Sequence, residues 1–229
     1  LPILVASLSR NSHEKGYVHF FRPSGFGRTF FEVVMDKEDK ALLGKYTPEE
    51  YLEKVLAFHG HAAPGVLLGG FLVNAARMGL PEDCIFDALC ESAQCLPDAI
   101  QILTPCTVGN SWLKIHDAGV FAIVLYDKYT GEGVRAYLDT DKLSAFPATH
   151  EWFFKLKPKK EQDSEALRAE ILAHGADMIS TRPVQMKQEM LVRKSKGAIA
   201  VCPGCHEAYP ASQGTVCPLC AEGRSYDYK

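Results

Sequence analysis

The chain has 229 residues, 47% of them hydrophobic and 23% charged, which is the composition of a globular protein with one large domain or with a domain and a smaller second one. The net charge of −3 does not indicate the basic surface that binding to nucleic acid or to an anionic membrane requires. No apolar run reaches the roughly 18 residues that span a bilayer. We therefore expect no nucleic acid and no membrane among its partners.

The first 45 residues give few structural signals. LPILVASLSRN has a short apolar segment with no basic residue before it, which fits a signal peptide poorly. The sequence does not begin with Met, so a processed leader before Leu1 stays open. Two aromatic and β-branched runs around a Pro-Ser-Gly turn predict a hairpin within residues 18–36.

A first helix is predicted from residue 48 onward. Thr47 has the properties of an N-cap, Pro48 suits the first helical position, and Glu50 completes a capping box. Gly60 should end this helix.

A second helix is predicted from Pro64 to a stop at Gly79. It is apolar nearly all round, so we expect it to be buried and to form the centre of the core. Gly69 and Gly70 should let another backbone or a ligand approach closely.

The middle of the chain predicts strands with glycine-containing turns and one short helix. The predicted strands cover residues 84–92, 112–119, 120–128 and 131–139, and the short helix covers residues 97–104. The last two strands should form a hairpin.

The pattern of the sequence changes from about residue 141. Residues 150–163 predict a surface connection, followed by a helix over residues 164–178 that Ser164 caps and that closes near Gly175. Residues 183–192 are ambiguous between helix and strand, and their alternation favours a strand.

These elements together predict an α+β fold, with helices packed on a mainly antiparallel sheet. We expect this core domain to cover residues 1–195, including the N-terminal extension and the helical connection. Residues 196–229 should form a small treble-clef-like or ribbon-like zinc module.

The zinc module is predicted from two CxxC pairs, Cys202 with Cys205 and Cys217 with Cys220, separated by eleven residues. Each CxxC turn can place two sulfurs on one cation, and two such turns close a tetrahedral structural zinc site. A redox dithiol and disulfides are minor alternatives. His206 is expected to be a neighbour, since four thiolates already fill the coordination shell. Free thiolates suit a reducing compartment and favour the cytoplasm.

A second constellation is predicted in the core from two histidines and two cysteines. His59 and His61 flank Gly60, and an extended backbone there would turn both imidazoles to one side at the start of the Pro64 helix. Cys95 and Cys106 each lie beside a proline at a break between elements. Such side chains could bind a soft metal ion or provide a thiol nucleophile with a histidine base.

Other polar residues in the same stretch are candidate ligand-binding groups: Asp98, Thr107, Asn110 and Lys114. A lone buried cysteine is more often a small hydrophobic residue than a site. We interpret Cys84 and Cys90 in that way.

Residues from about 51 to 138 resemble the FmdE family, which takes its name from a component of formylmethanofuran dehydrogenase. The resemblance rests on FHGHAAPG, on CLPDAIQILTPCTVGN, and on KIHDAG with the hairpin that follows it. The C-terminal four-cysteine module is similar to the auxiliary treble-clef zinc finger that some members carry. The resemblance implies an α+β core, a homodimer, and a pocket around these His and Cys residues that can hold a second metal ion.

One departure from the family pattern GHxCPG is Ala63, which stands where the family has a cysteine. A methyl group cannot act as a soft ligand or a nucleophile, so any metal ion in the core would depend on His59, His61, Cys95, Cys106 or water. Leu96 and Pro97 also depart from the family pattern ahead of Asp98.

The resemblance implies an accessory subunit or relative of the molybdenum or tungsten formylmethanofuran dehydrogenase, an oxidoreductase related to methanogenesis. No pterin or iron–sulfur motif is apparent in the sequence, so the redox centre would lie in another chain. A second hypothesis is a non-enzymatic interaction or metal-cofactor-handling module that uses the zinc lobe. A third is a thiol-dependent hydrolase with Cys106 as the nucleophile.

Overall fold

The computed structural model describes residues 42–192, 195 and 197–227. The hairpin predicted within residues 18–36 lies outside these ranges. The described chain divides into two compact units, one with residues 42–127 and 132–184 and one with residues 128–131 and 185–227. A domain boundary at residue 195 stays a prediction. In these ranges no helix has the length and apolar character needed to span a membrane.

The first helix, α1 (Pro48–His59), begins and ends as predicted. The Glu50 amide donates to Oγ1 of Thr47 over 3.3 Å, and the Thr47 amide donates to Oε2 of Glu50 over 2.9 Å. Both bonds satisfy amides that a helix start leaves without intrahelical partners. Gly60 ends the helix in the left-handed conformation, at φ 86°.

The second helix, α2 (Pro64–Met78), is the centre of the core. It packs against α1, against two later helices, α3 (Leu96–Leu103) and α6 (Ser164–His174), and against the sheet. A Cβ atom on Gly69 would lie 2.7 Å from the Cβ of Ala99 in α3, and one on Gly70 would lie 2.5 Å from the Tyr51 ring in α1. The predicted close approach at these glycines is therefore made by neighbouring helices.

The larger sheet has five strands: β1 (Phe86–Cys90), β2 (Leu113–Ile115), β3 (Ala122–Asp127), β4 (Glu132–Leu138) and β5 (Ile179–Gln185). Their order in the sheet is β2-β1-β3-β4-β5. Strand β1 pairs antiparallel with β3, and β3 pairs antiparallel with β4, whereas β1 and β2 are parallel. Helix α3 provides the crossover connection that the parallel pair needs. The predicted α+β fold with a mainly antiparallel sheet is confirmed.

The stretch between β4 and α6 is more ordered than the sequence predicted. It contains α4 (Thr140–Leu143), α5 (Pro147–Phe153) and a 3₁₀ turn (Lys159–Glu161). Thr149 is buried, and its hydroxyl donates to Oε1 of Glu170 on α6 over 2.7 Å. The predicted surface connection from residue 150 was therefore wrong where α5 continues to residue 153.

Helix α6 begins at the predicted residue, but its cap is different. The N-cap is Asp163, whose carboxylate accepts from the amides of Glu165 and Ala166 over 3.0 and 2.9 Å. Aspartate is as good an N-cap as serine, and the sequence offered both in succession.

The strand predicted over residues 183–192 was wrong beyond Gln185. The Met186 amide still donates to the Gly131 carbonyl, and Lys187 then caps a one-turn helix, α7 (Gln188–Leu191). The sequence QEML consists of good helix formers, so local propensity prevails over the alternating pattern.

The C-terminal part of the second unit has its own elements and its own small core. Strands β6 (Ile199–Val201) and β7 (Ala208–Pro210) pair antiparallel, and a 3₁₀ turn and α8 (Pro218–Glu222) follow. Cys202, Tyr209 and Cys217 are buried together. We call residues 197–227 the zinc lobe.

Candidate functional sites

The zinc lobe brings four cysteine sulfurs together. The sulfurs of Cys202, Cys205, Cys217 and Cys220 all lie within 4.8 Å of one another, and those of Cys205 and Cys217 are 3.7 Å apart. A tetrahedron with zinc–sulfur bonds of about 2.3 Å has sulfur–sulfur distances of about 3.8 Å, so the donor set fits a structural zinc ion.

The backbone of the zinc lobe positions the four cysteines and favours the thiolate form of Cys202. Cys202 and Cys205 lie on the turn after β6, and Cys217 is the N-cap of α8, which also carries Cys220. The backbone amides of Cys217 and Cys205 lower the pKa of Cys202 to about 6, so its thiolate is favoured. His206, at φ 63°, is part of the turn and not of the four-sulfur group.

A cavity of about 980 Å³ opens in the first unit at the N-terminus of α2. We call it the core cavity. His61 and Cys95 line it, together with Ala63, Pro64 and Gly65 at the start of α2. Two of the predicted core residues thus line a cavity at this end of α2, and their role as a site stays a prediction. The cavity is also lined by residues that the sequence did not single out: Phe121, Trp152, Phe153, Lys155, Lys157, Lys159 and Arg168.

His59 lies beside this cavity and has a fixed orientation. Its Nδ1 atom is 2.6 Å from Oδ2 of Asp98, and its ring centroid is 4.8 Å from that of His61. Asp98, predicted as a ligand-binding residue, is thus the partner of His59. A carboxylate on Nδ1 fixes the imidazole tautomer and leaves Nε2 to act as the metal-binding or proton-accepting atom.

Cys95 occupies a strained turn at the start of α3. Its φ of 60° and ψ of −55° are rare for a residue with a side chain, and the Leu96 amide bonds the Gln94 carbonyl across it over 2.6 Å. A Cβ atom on Gly65 would lie 2.9 Å from the Cys95 sulfur, so the thiol lies directly against the first turn of α2. Burial, and then Asp98, raise its pKa.

Cys106 lies away from these residues. It follows the opposite end of α3 from Cys95, and eight helical residues span about 12 Å. Its thiol is fully buried and lies 3.5 Å from the Phe86 carbonyl at the start of β1. The structure brings His59, His61, Cys95 and Asp98 to one end of α2 and α3 but does not bring Cys106 there.

Cys106 is expected to resist alkylation at neutral pH. Burial raises its pKa to about 11, so little thiolate forms near pH 7, and the reagent cannot reach the sulfur. Iodoacetamide labelling followed by peptide mass spectrometry should find Cys95 modified before Cys106. The denatured chain provides the control, since both should react there. Faster labelling of native Cys106 would support the nucleophile hypothesis instead.

The remaining predicted ligand-binding residues have structural contacts. Thr107 and Asn110 exchange hydrogen bonds between side chain and backbone, at 3.0 and 3.1 Å, and so shape the loop before β2. The Lys114 ammonium lies 3.2 Å from the Tyr126 hydroxyl. None of the three lines the core cavity.

The four-cysteine group of the zinc lobe is the one group of three or more His, Cys, Asp or Glu residues in the described ranges that is close enough to hold a metal ion. The core residues His59, His61, Cys95 and Asp98 do not form such a group, although the two imidazole rings are adjacent and Cys95 lies on the wall of the cavity that His61 lines.

Both the core and the zinc lobe of this chain match known protein families. The family described as "FmdE, Molybdenum formylmethanofuran dehydrogenase operon" matches residues 58–188, and the FmdE treble clef zinc finger matches residues 193–227. The crystal structure of a tungsten formylmethanofuran dehydrogenase FmdE-like protein from Syntrophus aciditrophicus is 49% identical, with a TM-score of 0.76, and the match covers 81% of this chain and 97% of that one.

A curated protein of Archaeoglobus fulgidus, named as a probable S-adenosyl-L-methionine-binding protein, is 27% identical over 152 residues. The match covers 59% of this chain and 42% of that protein, so this chain spans less than half of the relative's length. The first family match covers more than half of the chain and includes His59, His61, Cys95 and Cys106. The chain therefore belongs to the FmdE family and carries that family's treble clef zinc finger.

Proposed function

We propose that this protein is an accessory, metal-binding member of the FmdE family whose working site is the core cavity, and that the zinc finger has a structural role. The observation that carries the proposal is the His59–Asp98 pair, 2.6 Å apart, with the His61 ring beside it at the cavity. A carboxylate behind an imidazole is the usual support of a metal-binding histidine.

A divalent ion in the core would be held by His59 and His61, with water or a bound small molecule in its other positions. Zinc and similar ions accept imidazole nitrogen readily, and an incompletely filled shell leaves room for a ligand. Asp98 would keep the His59 ring in place, and Cys95 would contact the ligand or the ion from the wall of the cavity. Ala63 removes the thiol of the family pattern, which makes the two imidazoles the principal protein donors.

The metal content of the full chain tests this proposal. We expect about two metal ions per chain in the wild type, one from the zinc lobe, and about one in H59A/H61A because the core donors are gone. Inductively coupled plasma mass spectrometry on protein purified without chelators gives the count.

The matched control is H150A/H174A, which removes two imidazoles that are not part of the cavity wall. This variant should keep both ions. A wild-type count of one, or a count of two in H59A/H61A, would refute the core metal site.

The family membership also motivates two proposals about assembly. One is association with an oxidoreductase of the formylmethanofuran dehydrogenase type, which would supply the redox centre, in the cytoplasm. The other is a homodimer. The zinc lobe is the alternative site of partner binding, because a small lobe stabilised by metal can present a rigid surface without a large core.

A further inference from the structure

One part of the wall of the core cavity is cationic. Lys155, Lys157, Lys159 and Arg168 line it, and none of the described residues that line the cavity is acidic. The whole chain carries a net charge of −3, so this wall reverses the sign of the average surface. Lys157 is partly neutralised by Glu151, whose Oε1 is 2.8 Å from its ammonium. Cavities lined by one sign of charge concentrate ligands of the opposite sign.

The first turn of α2 adds to this potential. The N-cap, Ala63, has no side chain that could bond the amides of the turn, and Ala63, Pro64 and Gly65 all line the cavity. A helix of fifteen residues has the equivalent of about half a positive charge at such an end. The start of α6 differs, because the Asp163 carboxylate already occupies its amides.

The same cavity has an aromatic wall. The Phe121 ring meets Trp152 and Phe153 edge to face, with centroids 6.5 and 6.0 Å apart, and all three rings line the cavity. Partly buried aromatic rings around a cavity provide surfaces on which a planar group can stack. The volume of about 980 Å³ is at the upper end of the range for small-molecule pockets.

From the cationic wall, the uncapped helix start and the aromatic rings together, we infer that the core cavity binds a small molecule with a planar ring system and at least two negative charges. The inference rests on the proposal that this cavity is the working site, and it names the class of ligand. Phosphate and carboxylate groups can both bind the cationic part of the wall, since lysine and arginine form charge-assisted hydrogen bonds with both. A metal ion on His59 and His61 would add positive charge beside the cavity.

The inferred ligand differs from the one in the name of the archaeal relative. S-adenosyl-L-methionine has a planar adenine, but its sulfonium and amino groups carry two positive charges against one carboxylate. Four cationic side chains disfavour such a molecule, because like charges that are brought together in a cavity repel each other.

Calorimetric titration of the full chain with five probes tests the inference. ADP supplies a ring with phosphates, and benzene-1,2,4,5-tetracarboxylate supplies a ring with carboxylates, so the two distinguish the sources of charge. Adenosine has the ring without charge, pyrophosphate has charge without the ring, and S-adenosyl-L-methionine has the ring with positive charge. We expect ADP, the tetracarboxylate or both to bind about tenfold more tightly than each of the other three.

The second part of the test removes positive charge from the wall of the core cavity. K155Q/K159Q should weaken binding of the anionic probe about fivefold, and raising salt from about 50 to about 300 mM should weaken wild-type binding in the same direction. The matched control is K45Q/K54Q, which removes two lysines that do not line the core cavity and should leave affinity unchanged. Quenching of Trp152 fluorescence, measured in a W112F background, locates the probe in the cavity.

Three results would overturn the inference: no binding of either anionic ring probe at millimolar concentration, equal binding of adenosine, pyrophosphate or S-adenosyl-L-methionine, or equal effects of the two double substitutions. The outcome is separable from that of the metal count. A chain with one metal ion that still binds the anionic probes through Lys155 and Lys159 refutes the core metal site and supports the ligand class.

Discussion

Serine in place of Cys205 is expected to unfold the zinc lobe and to leave the core folded. The four sulfurs belong to the lobe alone, and its buried cluster is small, so metal binding supplies most of its folding free energy. Zinc binding of this type contributes about 10–16 kcal/mol at neutral pH in small fingers, far more than a lobe of this size needs to fold. Amide hydrogen exchange should show loss of protection across residues 197–227.

The core provides its own reporter for this experiment. Both tryptophans of the chain, Trp112 and Trp152, lie in the first unit, so their fluorescence follows the unfolding of that unit. The Cys205→Ser variant should keep the wild-type midpoint of the tryptophan transition. H206A serves as the control, because this neighbouring imidazole is outside the sulfur group and its loss should retain both zinc and protection. Retained protection in Cys205→Ser would show that the lobe folds without metal.

Truncation of Leu68 to alanine should destabilise the core by about 3 kcal/mol. Leu68 is fully buried in α2, which packs against three helices and the sheet, so the surrounding structure can collapse little into the space. For a unit of this size the thermal midpoint should fall by about 6–12 °C. Tryptophan fluorescence on heating measures the change.

Leu56→Ala on α1 is the matched control, because the Leu56 side chain is 47% exposed. It removes the same number of methyl and methylene groups, yet should cost less than about 1 kcal/mol. Equal midpoints for the two variants would mean that α2 is not the rigid centre of the core.

Local signals predicted α1 and α2 well. The capping box at Thr47, the prolines at the first helical positions and the stop at Gly60 are all formed by residues adjacent in sequence. The same holds for the zinc lobe, since each CxxC turn is local and two of them define the site. Such features depend little on the rest of the fold.

The core site was predicted less completely, because its parts come from distant segments. His59 and Asp98 are 39 residues apart, and no local pattern pairs them. Phe121 immediately precedes β3, and Trp152 and Arg168 lie on α5 and α6, so their approach to the cavity depends on the tertiary fold. Cys106 was predicted to lie beside Cys95 because the two are close in sequence. The structure places α3 between them, so they lie at opposite ends of that helix.

The parallel pairing of β1 with β2 has a consequence for how this protein family could vary. The chain leaves the carboxyl end of β1 and must cross over through α3, and the connecting residues include Ser92, Gln94 and Cys95 of the cavity wall. Residues on such a connection carry no sheet hydrogen-bond register, so their length and chemistry can change while the strands keep theirs. Exchange of this single connection between relatives should therefore change the cavity wall at the start of α3 without redesign of the sheet, while the cationic and aromatic residues of the wall stay as they are.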